Sequence, residues 1–317
     1  MSSIFTISIF QSALELGCIY ALVALALFIS FTILNIADLT TDGCFTLGCA
    51  VGAMVSLAGH PFLALVAAIA SGAVAGFVTA FLQTKLGVES ILAGIIVNTG
   101  LYTINIAVMG FSSIANLFGC DTLFSIGKDT LGNTVVGDWY KVIIVALIVV
   151  VVAVALWWFM GTTLGMSIRA TGDNAEMVKS SSINPTFTIT VGLCLANSLT
   201  GLSGALIAQY QKSADINIGT GMVTIALASL IIGQTLIGNK GSMARRIIGT
   251  ILGSVLYRFI VAIALRLSVP AEALKLVSAL IVAVAIAAPY FRKKLVLKKR
   301  EFANYRGNAV RGGKEDA

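Results

Sequence analysis

Apolar residues run through this chain in long unbroken blocks, with polar positions gathered between them. Nine blocks stand out, at 12–34, 43–59, 62–83, 91–110, 139–160, 187–209, 219–237, 247–265 and 273–290. Each approaches the ~20 residues that a helix needs to cross a bilayer. The blocks are continuous, whereas the strands of a membrane barrel alternate with period two. The pattern therefore predicts an all-α, polytopic transmembrane helical bundle of about nine spans (8–10), with the membrane domain covering 1–291.

Two polar intervals are long. The first, 111–138, is rich in Gly, Asn, Asp and Ser and reads as a loop. The second, 161–186, contains Asp173 and Asn174, both good helix N-caps, and ends at Pro185. Between cap and proline there is room for an amphipathic helix of about three turns. Such a helix, set between two spans, suits the docking of a partner protein.

Charge gives the orientation. The tail 292–317 holds nine Lys and Arg against three Asp and Glu, and so most of the net charge of +7. Basic residues beside a span mark the cytoplasmic side and meet anionic headgroups. The tail is thus read as cytoplasmic, and with it the loops carrying Lys85, Arg169, Lys179, Lys240, Arg245 and Arg246. Nine spans then put the N-terminus outside. Because the basicity is confined to this tail, nucleic acid is not an expected partner.

Composition supports the membrane reading: 58% of residues are hydrophobic and 11% charged, and the mean hydropathy is +0.97. Soluble domains carry about 25% charged residues. The N-terminus lacks the basic n-region of a cleavable signal peptide. The five cysteines form no CxxC pair, and no HExxH, P-loop or GxGxxG pattern is present. The expectation is a protein without metal or cofactor, whose energy comes from a partner or an ion gradient. Gly201-Leu-Ser203-Gly204 matches the GxSG form of intramembrane serine proteases, but the single histidine, His60, lies at a helix end far along the chain.

Small residues recur four apart, as in Gly48/Gly52, Gly72/Gly76, Gly161/Gly165, Gly201/Ala205 and Gly249/Gly253, a spacing that lets helix backbones approach closely. Polar groups within the spans are costly and so face the bundle or a path through it. Arg258 is read as lining a path or pairing with Glu15 or Glu272. Asn98, Asn105, Asn197 and Gln234 are read as interhelical contacts or wall residues of a path. The stretches from Asp38 to Gly43 and from Asp215 to Gly221 echo each other before the second and seventh spans, as inverted repeats around a midplane pathway would.

Three stretches together resemble one family. Leu16-Gly17 to Ala24 leads into Asn35-Ile-Ala-Asp38-Leu-Thr-Thr41-Asp42-Gly43 and Thr46. The inner loop reads Arg169-Ala-Thr-Gly172-Asp173-Asn174, then Met177, then Ile183-Asn184. The run from Thr200 to Leu206 continues to Gly219, Gly221 and Gly233. This resembles permeases of the branched-chain amino acid and ribose class of ABC importers, most closely the tryptophan/tyrosine-type subgroup. Ser182 departs from the pattern, standing where relatives place glycine.

The resemblance implies a homodimer of permease protomers in a bacterial inner (plasma) membrane, embedded in lipid. It implies two cytosolic ATP-binding cassette subunits docked on Arg169, Gly172, Asp173, Asn174, Glu176, Met177, Ser182, Ile183 and Asn184. ATP hydrolysis would lie on those subunits, so the chain itself is not expected to be an enzyme. A substrate-binding protein would deliver a small solute, with an amino acid expected. Pathway candidates are Asn35, Asp38, Thr41, Asp42, Thr46, Asn98, Asn197 and Arg258, with the second span broken around Thr41–Thr46. The alternative is an ion-coupled secondary transporter in which Glu15, Asp38 or Asp42 carries a proton. A structural membrane scaffold ranks third.

Overall fold

A computed structural model describes residues 7–131, 139–238 and 241–266, with a few isolated positions between 276 and 287. The rest of the ninth sequence span, the basic tail, Lys240 and Glu272 lie outside the described residues.

The elements are α1 (Ile7–Leu27), α2 (Thr41–Leu57), α3 (Pro61–Thr84), α4 (Ser90–Val108), β1 (Ile114–Asn116), α5 (Leu123–Leu131), α6 (Tyr140–Gly161), α7 (Thr163–Asp173), α8 (Ala175–Ser180), α9 (Pro185–Gln211), β2 (Ser213–Asp215), α10 (Met222–Ile237) and α11 (Met243–Arg266). A π-helical stretch, Phe28–Ile33, continues α1. Six helices have the length and apolarity to cross a membrane, and α2 and α10 are shorter apolar helices. Together they account for eight of the nine spans in the sequence, and the all-α polytopic bundle is as expected.

The bundle is built around α1 and α9. Each buries 78% of its span, against 17% for α6. The reason is small residues on α9 and its neighbours. A Cβ on Gly48 would strike the backbone of Gly201, and one on Gly72 the carbonyl of Asn197. Main chain therefore packs on main chain, as GxxxG-like spacing allows. The order of contacts (Cys44 with Asn197, Gly48 with Gly201, Gly52 with Ala205) makes α2 and α9 parallel, whereas α3 runs opposite. Gly233, Gly249 and Gly253 set the same kind of contact between α10 and α11. Gly161, by contrast, faces open space.

Both long polar intervals hold structure that the hydropathy pattern hides. In 111–138, β1 pairs antiparallel with β2, Ile114 opposite Asp215, and α5 follows. In 161–186 the helix expected between the cap and Pro185 is the shorter α8, and a further helix, α7, precedes it. Thr162 Oγ1 accepts from Gly165 N at 3.3 Å and starts α7 directly after α6. Asp173 is the last residue of α7 and not a cap. Asn174, extended at φ −161°, ψ 100°, ends α7 and caps α8, its Oδ1 accepting from the amides of Glu176 and Met177 at 3.1 and 3.0 Å.

Helix α2 is unbroken through Thr41–Thr46. The interruption comes one turn earlier. Asn35 takes φ +56°, residues 35–38 leave the helix, and Asp38 Oδ1 accepts from Thr40 N at 2.9 Å in an Asx turn. Thr40 meets Thr79 at 2.9 Å, five residues before α3 ends at Thr84. At 1.5 Å per residue, α2 thus begins about 8 Å inside that end of the bundle.

Candidate functional site

The segment after β2 drops back into the bundle. Gly219 lies against the Asp42 carbonyl and Thr46 Oγ1, close enough that a Cβ would collide with both. Gly221, at φ +85°, turns the chain into α10. The N-termini of α2 and α10 therefore converge, one helix rising toward the β1–β2 end and the other descending toward the α8 end. Each terminus carries unsatisfied amides and a partial positive charge. Asp42, in the first turn of α2, answers the amides of α10 and places its charge at the α2 terminus. Its Oδ2 accepts from Gly221 N at 3.0 Å and its Oδ1 from Val223 N at 2.9 Å. The echo between the stretches ending at Gly43 and Gly221 thus has a physical form: two short helices whose N-termini meet.

Beside Asp42 opens a cavity of about 320 Å³, walled by Thr46, Asn98, Tyr102, Asn105 and Asn217 among others. Gly43 makes room for it, since a Cβ there would come within 2.5 Å of Asn98 Oδ1. Asn105 is buried; its Nδ2 donates to Gly43 O at 3.1 Å while its Oδ1 has no partner. Asn98 and Asn105 are seven apart, which puts both on one face of α4. Both were read from the sequence as interhelical contacts or wall residues of a path, and here Asn105 is both. Asn217 and Tyr102 gave no such signal, because the fold of the descending segment places them.

The other pathway candidates divide. Asp42, Thr46 and Asn98 share the cavity. Asp38 and Asn197 form a separate buried pair: Asn197 Nδ2 donates to Asp38 Oδ2 at 2.8 Å. Thr41 donates to the Asp38 carbonyl at 3.2 Å, so all three hold the bend before α2. Asn35 is exposed near the α8 end. Arg258 is elsewhere: its guanidinium lies 3.6 Å over the Tyr20 ring centroid. Glu15, one of its two expected partners, is taken by Gln11 at 3.0 Å and Tyr210 at 2.8 Å. Asn197→Leu should leave a carboxylate oxygen of Asp38 buried without its donor, at a cost of about 1–3 kcal/mol. Unfolding in detergent measures it, and unchanged stability would mean that water replaces the amide.

The three carboxylates that an ion-coupled carrier would use are each already held: Glu15 by Gln11 and Tyr210, Asp38 by Thr40 and Asn197, Asp42 by two backbone amides. Among the described residues the GxSG serine has no base. Ser203 is fully buried and donates to Ile19 O at 2.7 Å, while His60 is exposed at the start of α3.

At the other end of the bundle, α7 and α8 form a bracket. A Cβ on Gly172 would run into the Ile33 carbonyl and Leu34, and Thr171 and Thr188 hydroxyls meet at 2.8 Å, so α7 is fixed to both the end of α1 and α9. Beyond it α8 stands out. Met177 is 68% exposed, and Glu176 and Lys179 are exposed and paired at 2.7 Å. Arg169, Asp173 and Asn174 are also exposed on this face. Ser182 closes the turn at φ +61°, a left-handed conformation that glycine adopts more cheaply. Ile183 is half-buried, and Asn184 Oδ1 caps α9 by accepting from Thr186 N at 3.0 Å. The coupling residues named from the sequence all lie in or beside this bracket, whereas the Thr171–Thr188 contact and the division between α7 and α8 were not read from it.

A family model described as the permease component of branched-chain amino acid transport systems matches residues 9–303. The tyrosine transport system permease protein of Clostridioides difficile (strain R20291) is 32% identical over 272 residues, 86% of this chain and 88% of the relative. An uncharacterised protein of Rickettsia prowazekii (strain Madrid E), RP368, is 30% identical over 284 residues, 89% of this chain and 98% of the relative. The ribose import permease protein RbsC of Escherichia coli (strain K12) is 30% identical over 233 residues, 70% of this chain and 67% of the relative. Among solved structures, none matches the chain.

Proposed function

The chain belongs to the family of branched-chain amino acid transport system permease components, and on that premise we propose that it forms the solute pathway of an importer fed by a substrate-binding protein and driven by two ATPase subunits. It is a multi-pass membrane permease of an ABC-type import system for small solutes. In the proposed arrangement two copies pair in a bacterial inner membrane, with the α8 end and the C-terminal tail in the cytoplasm. The solute is an amino acid, in line with the tyrosine permease among its relatives.

One observation carries this reading. The exposed α8 is joined through α7 to Ile33 and Leu34, four residues before Asp38 and the bend that starts α2. A push on α8 from a docked ATPase reaches the cavity at Asp42 through packed main chain. Closing the ATPases on ATP would thus tilt α7 and shift α2 against α10. The delivery protein must bind the two resulting states unequally for the solute to move one way.

The test is purification of the tagged protein from its native membrane, with mass spectrometry of what accompanies it. A P-loop ATPase and an extracytoplasmic binding protein are expected. Met177→Ala should weaken ATPase docking about tenfold, the effect of truncating an interface anchor. Glu176→Lys should do the same by reversing a charge on the docking face. An ATPase recovered equally with both variants would move the docking site away from α8.

A further inference from the structure

The cavity beside Asp42 has a chemical bias that the permease reading does not by itself supply. Among the described residues its wall contains no Lys, Arg or His, and the Asp42 carboxylate is their one charged group. A helix N-terminus ordinarily attracts anions, but here the terminus of α10 is already answered by Asp42. A carboxylate has about four acceptor positions, and the two amides occupy one on each oxygen. The second acceptor is Asn105 Oδ1, buried and without a partner. Its amide cannot turn to offer a donor there, because Nδ2 is committed to the Gly43 carbonyl. A buried acceptor left unmet is costly, and the group that relieves it must donate. An anion entering this space would meet a negative charge, with an unmet acceptor buried in the wall behind it.

We propose that the cavity is a cation-preferring subsite on the solute pathway, which seats the primary ammonium of a small solute between Asp42 and Asn105. The volume of about 320 Å³ lies at the small end of ligand pockets, enough for one amino-acid-sized molecule. Asn98, Tyr102 and Asn217 line the remainder of the space and serve the rest of the solute. The subsite rests on the permease reading for its place on a pathway, and it adds which end of the solute is recognised.

The test uses the full-length chain in lipid nanodiscs, without ATPase or binding protein. Saturation-transfer NMR compares three probes on one skeleton: tyramine, L-tyrosine and 3-(4-hydroxyphenyl)propionate. Tyramine and tyrosine should receive severalfold more transfer than the propionate. Asn105→Leu should remove that preference. Asn98→Lys, at a half-exposed position on α4, should reverse it by placing a cation in the cavity. Size-exclusion profiles establish that each variant is folded, and if Asn105→Leu is not, the probe order in the parent and in Asn98→Lys decides. Equal transfer to all three probes, transfer to none, or an order unchanged by Asn98→Lys overturns the subsite. ATPase recovery with no preference for ammonium would remove the subsite and leave the importer. Ammonium preference with no ATPase would do the opposite.

Discussion

Gly48→Val should abolish recovery of folded protein from the membrane. At this position α2 crosses α9, and a Cβ would lie 2.6 Å from the Gly201 Cα and within the reach of its carbonyl oxygen. Both obstacles are main chain of buried helices, so no rotamer change relieves the clash. Overpacking a core ordinarily costs about 1–3 kcal/mol and sometimes more. Here the whole cost falls on separating two helices, and the separation also removes the neighbouring contacts at Gly52 and Gly204. Gly100→Ala is the control, because nothing lies within 4 Å of its added methyl. Fluorescence-detected size exclusion and thermal unfolding in detergent should show a lost or aggregated peak for the first variant and an unchanged one for the second. A folded Gly48→Val protein would mean that α2 and α9 are not in this register.

Much of this packing could be read in the sequence. Glycines four apart announced close helix contacts at 48/52, 72/76 and 249/253, and the contacts are there. Hydropathy located the spans because burial in lipid selects long apolar runs whatever the topology. It could not locate β1, α5 or α7. Those elements sit in polar intervals, where local hydrogen bonds, such as Thr162 to Gly165, decide the structure and leave no hydropathy signal. Partnering was the harder question. Arg258 was read as lining a path or pairing with Glu15 or Glu272; among the described residues it lies over the Tyr20 ring, and a cation over a ring gives no charge pattern to read. Asp42 was picked out by its motif, but its role depends on Gly221 and Val223, about 180 residues along the chain. Only the inverted echo around 38–43 and 215–221 hinted that these stretches belong together.

The meeting of α2 and α10 should fail when its single carboxylate is removed. Asp42→Ala leaves the amides of Gly221 and Val223 without acceptors inside the bundle. Hydrogen bonds to a charged group contribute about 1.5–3 kcal/mol each. The loss of both is expected to cost about 3 kcal/mol or more, since two positive helix ends then face each other with nothing between them. Asp42→Asn keeps one acceptor and should fall between the parent and Asp42→Ala. The damage should be local first. Hydrogen exchange at Gly221 and Val223 should rise by about two orders of magnitude for each 3 kcal/mol lost, while the α3–α9 seam stays protected. Uptake should fall with it, because a loosened descending segment no longer closes the cavity wall at Asn217 and Gly219. If exchange at Gly221 and Val223 stays slow in Asp42→Ala, some other group holds the two helix ends. The cavity would then owe its negative character to that group rather than to Asp42.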